Sequence, residues 1–171
     1  DGLRVVPGVQ PFSRRLLEGC DVLVVADASG AERPDHATAR NSAFRPAECD
    51  AVRDWVLEGG SLLLVADSAP YASAMDSLAR RFGVDMAKGY TIDTRRVDPE
   101  MNNQGCILYR RDQGMLGNHV ILRGRDRSER IERVVTFSGQ SLTGPPGSHG
   151  LLRLGPSAWD VPFTSDARRE A

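Results

Sequence analysis

The 171-residue chain has few of the side chains that build metal and cofactor sites. Its three cysteines, Cys20, Cys49 and Cys106, are an odd number without a C-x-x-C pair. That pattern supports neither a zinc site nor a disulfide framework, although one disulfide with a leftover thiol stays open. Cys49 and Cys20 read best as small buried hydrophobes. The three histidines, His36, His119 and His149, have no i, i+4 partner, so there is no H-E-x-x-H zinc pattern. No apolar run approaches the ~18 residues of a membrane span. The glycines form neither G-x-G-x-x-G nor G-x-x-x-x-G-K-[ST], which removes nucleotide binding through a glycine-rich loop. With 22 Lys and Arg against 23 Asp and Glu, the net charge of -1 gives no general attraction to nucleic acid or acidic membranes. The arginine pairs at 14–15, 80–81, 95–96 and 110–111 are scattered and read as solvated faces. No cofactor and no metal is expected. The chain opens at Asp1-Gly2-Leu3 with no initiator Met and no visible signal peptide, which reads as a processed or trimmed product.

What the chain does have is one domain's length and two fully apolar runs. A core is expected over 3–155 and a charged, frayed tail over 164–171. Residues 3–6 are expected as a short strand ended by Pro7-Gly8, and Ser13 as the cap of a short helix carrying Leu16 and Leu17. Asp21-Val-Leu-Val-Val-Ala26 and Ser61-Leu-Leu-Leu-Val-Ala66 lack alternation and suit parallel strands covered on both faces. Between them lie a polar loop over 29–45 and a helix starting at Pro46, with Cys49, Val52, Trp55 and Val56 at helical spacing. Strand, helix and strand predict a βαβ unit. Met75, Leu78, Ala79 and Phe82 predict a second amphipathic helix closed by Gly83. Further strands are expected near 106–109, 120–122, 134–138 and 151–154. The expected fold is therefore a flavodoxin-like, doubly wound, mainly parallel α/β sheet.

In such sheets ligands bind beyond the carboxyl ends of the strands. Three segments lie there: Asp27-Ala-Ser-Gly30, Asp67-Ser-Ala-Pro70 and Ser138-Gly-Gln-Ser141. The block Trp55–Pro70 resembles the helix, glycine pair, strand and elbow of class I glutamine amidotransferase-like domains. Together with Asp21–Ala28, His119–Arg125 and Val134–Leu142, it is most similar to an uncharacterised branch of that superfamily, over residues 3–155. The resemblance implies that the first strand-helix unit lies outside the chain, that Asp67 stands where the nucleophilic Cys would be, and that the location is extracytoplasmic. A carboxylate cannot carry thioester chemistry, so a working glutaminase is not expected.

The candidate ligand-binding residues are Asp27, Asp67, Ser68, His119, Gln140 and Ser141. Each has a plainer role. Asp67 and Ser68 can cap the following helix. Two carboxylates alone do not make a metal site. A single His at a strand start is as readily structural as functional, and Gln140-Ser141 suits a turn. Trp55 and Trp159 read as core and docking residues. Two functions follow. The first is a catalytically silent domain binding a small polar ligand, a carbohydrate or a protein partner at its strand ends. The alternative is a hydrolase using Ser68, with His119 or His149 as base and Asp27 or Asp67 as orienter, His119 being preferred, although the segment lacks the glycines of a nucleophile elbow.

Overall fold

A computed structural model describes residues 2, 4–31, 41–68 and 71–162. Helix α1 (Arg14–Leu17) starts where the Ser13 hydroxyl accepts the Leu16 N–H at 3.2 Å. Strand β1 (Val22–Ala26) leads by the long loop to helix α2 (Pro46–Leu57). Glu48 fixes the start of α2: one carboxylate oxygen accepts the Arg45 N–H and the other the Phe12 N–H, each at 3.0 Å. Gly60 follows this helix because a Cβ there would overlap the Trp55 ring. Strand β2 (Ser61–Val65) then pairs in parallel with β1, from Val22 opposite Ser61 to Ala26 opposite Val65.

Among the described residues only one face of this pair is covered. Leu23, Leu62 and Leu64 pack with Trp55 and Phe44 against a core of Leu17, Cys49, Val52 and Leu78. Val22, Val24, Leu63 and Val65 occupy the opposite face and are exposed. The expected second helix forms as a short α3 (Asp76–Ala79) between two 3-10 turns, and it buries Met75, Leu78 and Ala79 before Gly83 turns left-handed at φ 70°.

The second half departs from the expected fold. Strands β3 (Asp85–Met86), β4 (Gly89–Asp93), β5 (Cys106–Arg110), β6 (Arg133–Phe137), β7 (Leu142–Thr143) and β8 (Ala158–Pro162) pair as β3–β7, β4–β8 and β5–β6. All three pairs are antiparallel. Among the described residues β1–β2 is the one parallel pair, so a doubly wound, flavodoxin-like parallel sheet is not what the chain builds. The cause lies in the connections. A parallel crossover is usually made by a helix that packs back on the sheet, and among the described residues only α2 is longer than about one turn; α3 and helix α4 (Val120–Arg123) have four residues each. Burial also alternates along β4 and β6, as it does in strands with one face packed. Ile107, Tyr109, Met115, Leu116 and Leu122 form the core of this half.

Three expected strands change character. Residues 120–122 turn into α4. Residues 151–154 supply only an isolated bridge, Leu152 to Leu116. Residues 4–6 belong to no regular element, and Leu3 lies outside the described residues. The tail over 164–171 and loop positions 32–40 also lie outside them. All three cysteines are free: Cys49 and Cys106 are buried, and the half-buried Cys20 thiol donates to the Val22 carbonyl.

Candidate functional site

The parallel register brings the ends of β1 and β2 level, so the residues that follow them meet. Asp27 turns left-handed at φ 46°, and its N–H donates to the Val65 carbonyl at 3.0 Å. Its carboxylate then accepts the Asp67 N–H at 3.0 Å. The Asp67 carboxylate accepts the next N–H, that of Ser68, at 2.7 Å. From the end of β6, the Gln140 amide donates to the Asp67 carbonyl at 2.8 Å, while its own carbonyl oxygen is buried without a partner. Ser138, just before it, is left-handed at φ 49°. Non-glycine residues with such φ cost about 1–3 kcal/mol each and concentrate at functional sites. Asp27 and Ser138 each directly follow a strand, and Gln140, two residues past Ser138, is the one that reaches Asp67.

The other candidates lie apart or are otherwise engaged. Ser141 donates to Asp160 at 2.7 Å, and Thr91 donates to the other Asp160 oxygen at 2.6 Å, so Ser141 belongs to a brace between β8 and β4. Ser68 contributes its carbonyl to the Ala72 N–H. His119 caps α4: its Nδ1 accepts the Ile121 N–H, and its ring centroid lies 5.7 Å from that of His149. No hydrogen bond joins Ser68 to His119. The structure thus gathers Asp27, Asp67, Ser68 and Gln140 on one ledge and leaves Ser141 and His119 elsewhere. Among the described residues no group of three or more His, Cys, Asp or Glu is placed to hold a metal ion. None of their helices is long and apolar enough to cross a membrane.

Sequence reasoning missed two further polar arrangements. Asp93 is completely buried; it accepts the Arg95 N–H at 2.9 Å and the Ser157 hydroxyl at 2.8 Å, and lies 3.6 Å from Arg96. Beside it a cleft of about 790 Å³ is lined by Thr94, Arg95, Arg96, Gln113 and Trp159 among others. The second is an arginine-lined pocket around α4. The alternation in Gly89-Tyr-Thr-Ile-Asp93 signalled the strand that carries Asp93. Nothing local signalled its partner, 64 residues further along the chain.

Neither a protein-family model nor a curated protein matches the chain. The fold is similar to the solved structure of the mmIFT52 N-terminal domain, with a TM-score of 0.61 at 15% identity. The match covers 89% of this chain and 65% of that one, so this chain spans a little under two thirds of that domain. At this identity the likeness concerns fold alone. It corrects the resemblance to class I glutamine amidotransferase-like domains, since the matched structure carries a different name and no family model supports the amidotransferase reading. What that resemblance implied therefore has no footing, including Asp67 in a nucleophile's place, a silent amidotransferase and an extracytoplasmic location.

Proposed function

We propose that the chain is a non-catalytic binding domain that docks a protein partner on the uncovered face of β1–β2 and the ledge at its end. One observation carries this reading. Val24 and Leu63 are 58% and 53% exposed on a parallel pair whose other face is covered by α2. Parallel strands are ordinarily covered on both faces, and adjacent exposed aliphatic groups mark interaction surfaces. The occupant that fits is a helix like α2, with an aliphatic stripe over Val22, Val24, Leu63 and Val65. A cationic side chain or the positive end of that helix would lie at the exposed carboxylates of Asp27 and Asp67. The left-handed backbone at Asp27 and Ser138 supports a functional ledge. The way Asp27, Asp67 and Gln140 hold one another favours a protein surface there over a small polar ligand or a carbohydrate. The hydrolase reading gains no support, because the His119 Nδ1 accepts the Ile121 N–H at the start of α4 and, among the described residues, no hydrogen bond joins its ring to Ser68.

The test is a selection of displayed helical peptides on the full chain. Enriched peptides should carry aliphatic residues at i, i+3, i+4 and i+7 with a basic residue near one end. Leu63→Asp should weaken them by about tenfold or more, since it places a charge against apolar area. Enrichment of unpatterned peptides, or binding indifferent to Leu63→Asp in a folded variant, would defeat the proposal. Concentration-dependent dimerisation abolished by the same substitution would replace the partner with a second copy.

A further inference from the structure

A pocket of about 640 Å³ opens beside α4, and five of its eight lining residues are arginine against one aspartate. At its floor lies Arg111, only 13% exposed. Its guanidinium is held by two backbone carbonyls: Nε donates to Ile131 at 2.9 Å and Nη2 to Leu122 at 2.8 Å, while Nη1 has no hydrogen-bond partner among the described residues. Carbonyls orient this cation without neutralising it. Its nearest carboxylate, Glu132, is 3.6 Å away, 62% exposed, and shared with Arg130 at 3.0 Å. A partly buried guanidinium with one distant, shared carboxylate leaves room for a further anion beside it.

The rim adds more positive charge. Arg125 is taken up by Glu129, whose carboxyl is held below its usual range chiefly by that hydrogen bond. Arg123 and Arg127 have neither an ion pair nor a side-chain hydrogen bond among the described residues. The pocket therefore combines one partly buried guanidinium, oriented by two carbonyls, with two uncommitted ones and the Asn118 amide, against the single Asp126 carboxylate. A carboxylate would be satisfied by one such fork. A tetrahedral dianion can accept from several at once. The volume lies within the ~300–1,000 Å³ range of ligand sites and leaves room for more than the anion.

We propose that this pocket binds a phosphate group, carried either by a small soluble molecule or by a lipid headgroup. The site is separate from the β1–β2 face and shares no residue with it.

The full chain would be titrated calorimetrically with inorganic pyrophosphate, and with acetate at matched ionic strength. Pyrophosphate should bind at least about tenfold more tightly than acetate, the gap expected when charge-assisted bonds replace simple screening. Arg123→Gln and Arg127→Gln, at the exposed rim, should each weaken it severalfold, and Arg111→Gln should weaken it most. Arg14→Gln, at an exposed arginine elsewhere, should leave it unchanged. Glu132→Gln, which removes the competing carboxylate, should tighten it. Vesicles of phosphatidylcholine containing either phosphatidylinositol bisphosphate or phosphatidylserine at equal charge separate the two carriers. Retention by the former alone assigns a headgroup; pyrophosphate binding with retention by neither assigns a soluble ligand. Equal affinity for pyrophosphate and acetate, or indifference to the rim variants and to Glu132→Gln, would overturn the site.

Discussion

The two halves of the chain solve the same problem, how to bury a small sheet, by different means. In the first half consecutive segments do the work: β1, α2 and β2 follow one another, and their apolar groups meet Leu17 and Leu78 in one core. In the second half β4 waits for β8, whose pairing joins Gly89 to Pro162, and β3 waits for β7. Polar bridges brace these distant contacts, through Asp160 to Thr91 and Ser141, and through Asp93 to Ser157. The local solution leaves one sheet face uncovered, whereas the non-local one places a charged group at the centre. The difference teaches where function is affordable. Here the local βαβ unit keeps its core on one side and presents an apolar face, while in the antiparallel region Asp93 and Asp160 are committed to holding distant strands together and the arginines around α4 stay available.

The harshest way to break the comparison is to hollow each core. Leu78 and Ile107 are almost wholly buried, so Leu78→Ala and Ile107→Ala should each cost about 2–5 kcal/mol. Trp55 reports on the first core and Trp159 on β8. If the halves form one cooperative domain, urea transitions followed through each Trp should coincide and shift together in both variants. A variant that moves the transition of one Trp alone would divide the chain into two units.

Next comes the buried charge. Asp93→Ala would leave the Ser157 O–H and the Arg95 N–H without their acceptor and Arg96 without its carboxylate, though Arg96 keeps its hydrogen bond to Ser157, at a cost of about 2–3 kcal/mol. The same carboxylate bears on Tyr109, whose phenol is pushed above its ordinary value first by burial and then by the Asp93 charge, against an opposing contribution from Thr136. As pH climbs past about 10, the unfolded chain gives up this proton while the native state keeps it. Stability from Tyr109 is thus complete below that pH and drains away as pH rises through the raised native value. Thermal melts between neutral pH and pH 11 should show a steeper alkaline decline for the parent than for Tyr109→Phe. Equal slopes would remove Tyr109 from the account.

This contrast also explains what the sequence disclosed. The runs at 21–26 and 61–66, the Pro46 start and the Ser13 cap are local signals, and each corresponds to an element, the strands being one residue shorter than the runs. Because Asp27 lies one residue and Asp67 two residues past matched parallel strands, their meeting was legible too. The doubly wound sheet was not, because apolar runs identify strands without naming partners; the pairing of Asp93 with Ala158 appears in no window of sequence. His119 misled for a related reason. Asn118-His119-Val-Ile-Leu122 is rich in β-branched residues, yet the His119 ring caps a helical turn and Leu122 packs beside Ile107. The arginine pocket was hidden because folding sets Arg111 beside residues 123–130.

Milder still is Gln140→Ala, which cuts the hydrogen bond between the end of β6 and Asp67. A single such bond contributes about 0.5–1.5 kcal/mol. The buried, unpartnered amide oxygen leaves with it, so the net loss should fall near the lower end. A loss well above that range in denaturant melts would make this contact the main tie between the halves.

The smallest effect on stability should come from the face that matters most to the proposed function. Val24 and Leu63 sit opposite each other across the parallel pair and are more than half exposed. Replacing them with Thr and Ser removes little buried area, and surface changes of this kind usually stay within about 0.5 kcal/mol. Thr also keeps the β-branching that suits a strand. The double variant Val24→Thr, Leu63→Ser should therefore melt with the parent chain and remain soluble to higher concentration, because the apolar patch that invites association is gone. A loss of several kcal/mol would mean that these side chains are packed rather than open to solvent. In that case β1–β2 would be an ordinary two-sided parallel pair, and the contrast between an open half and a braced half would disappear.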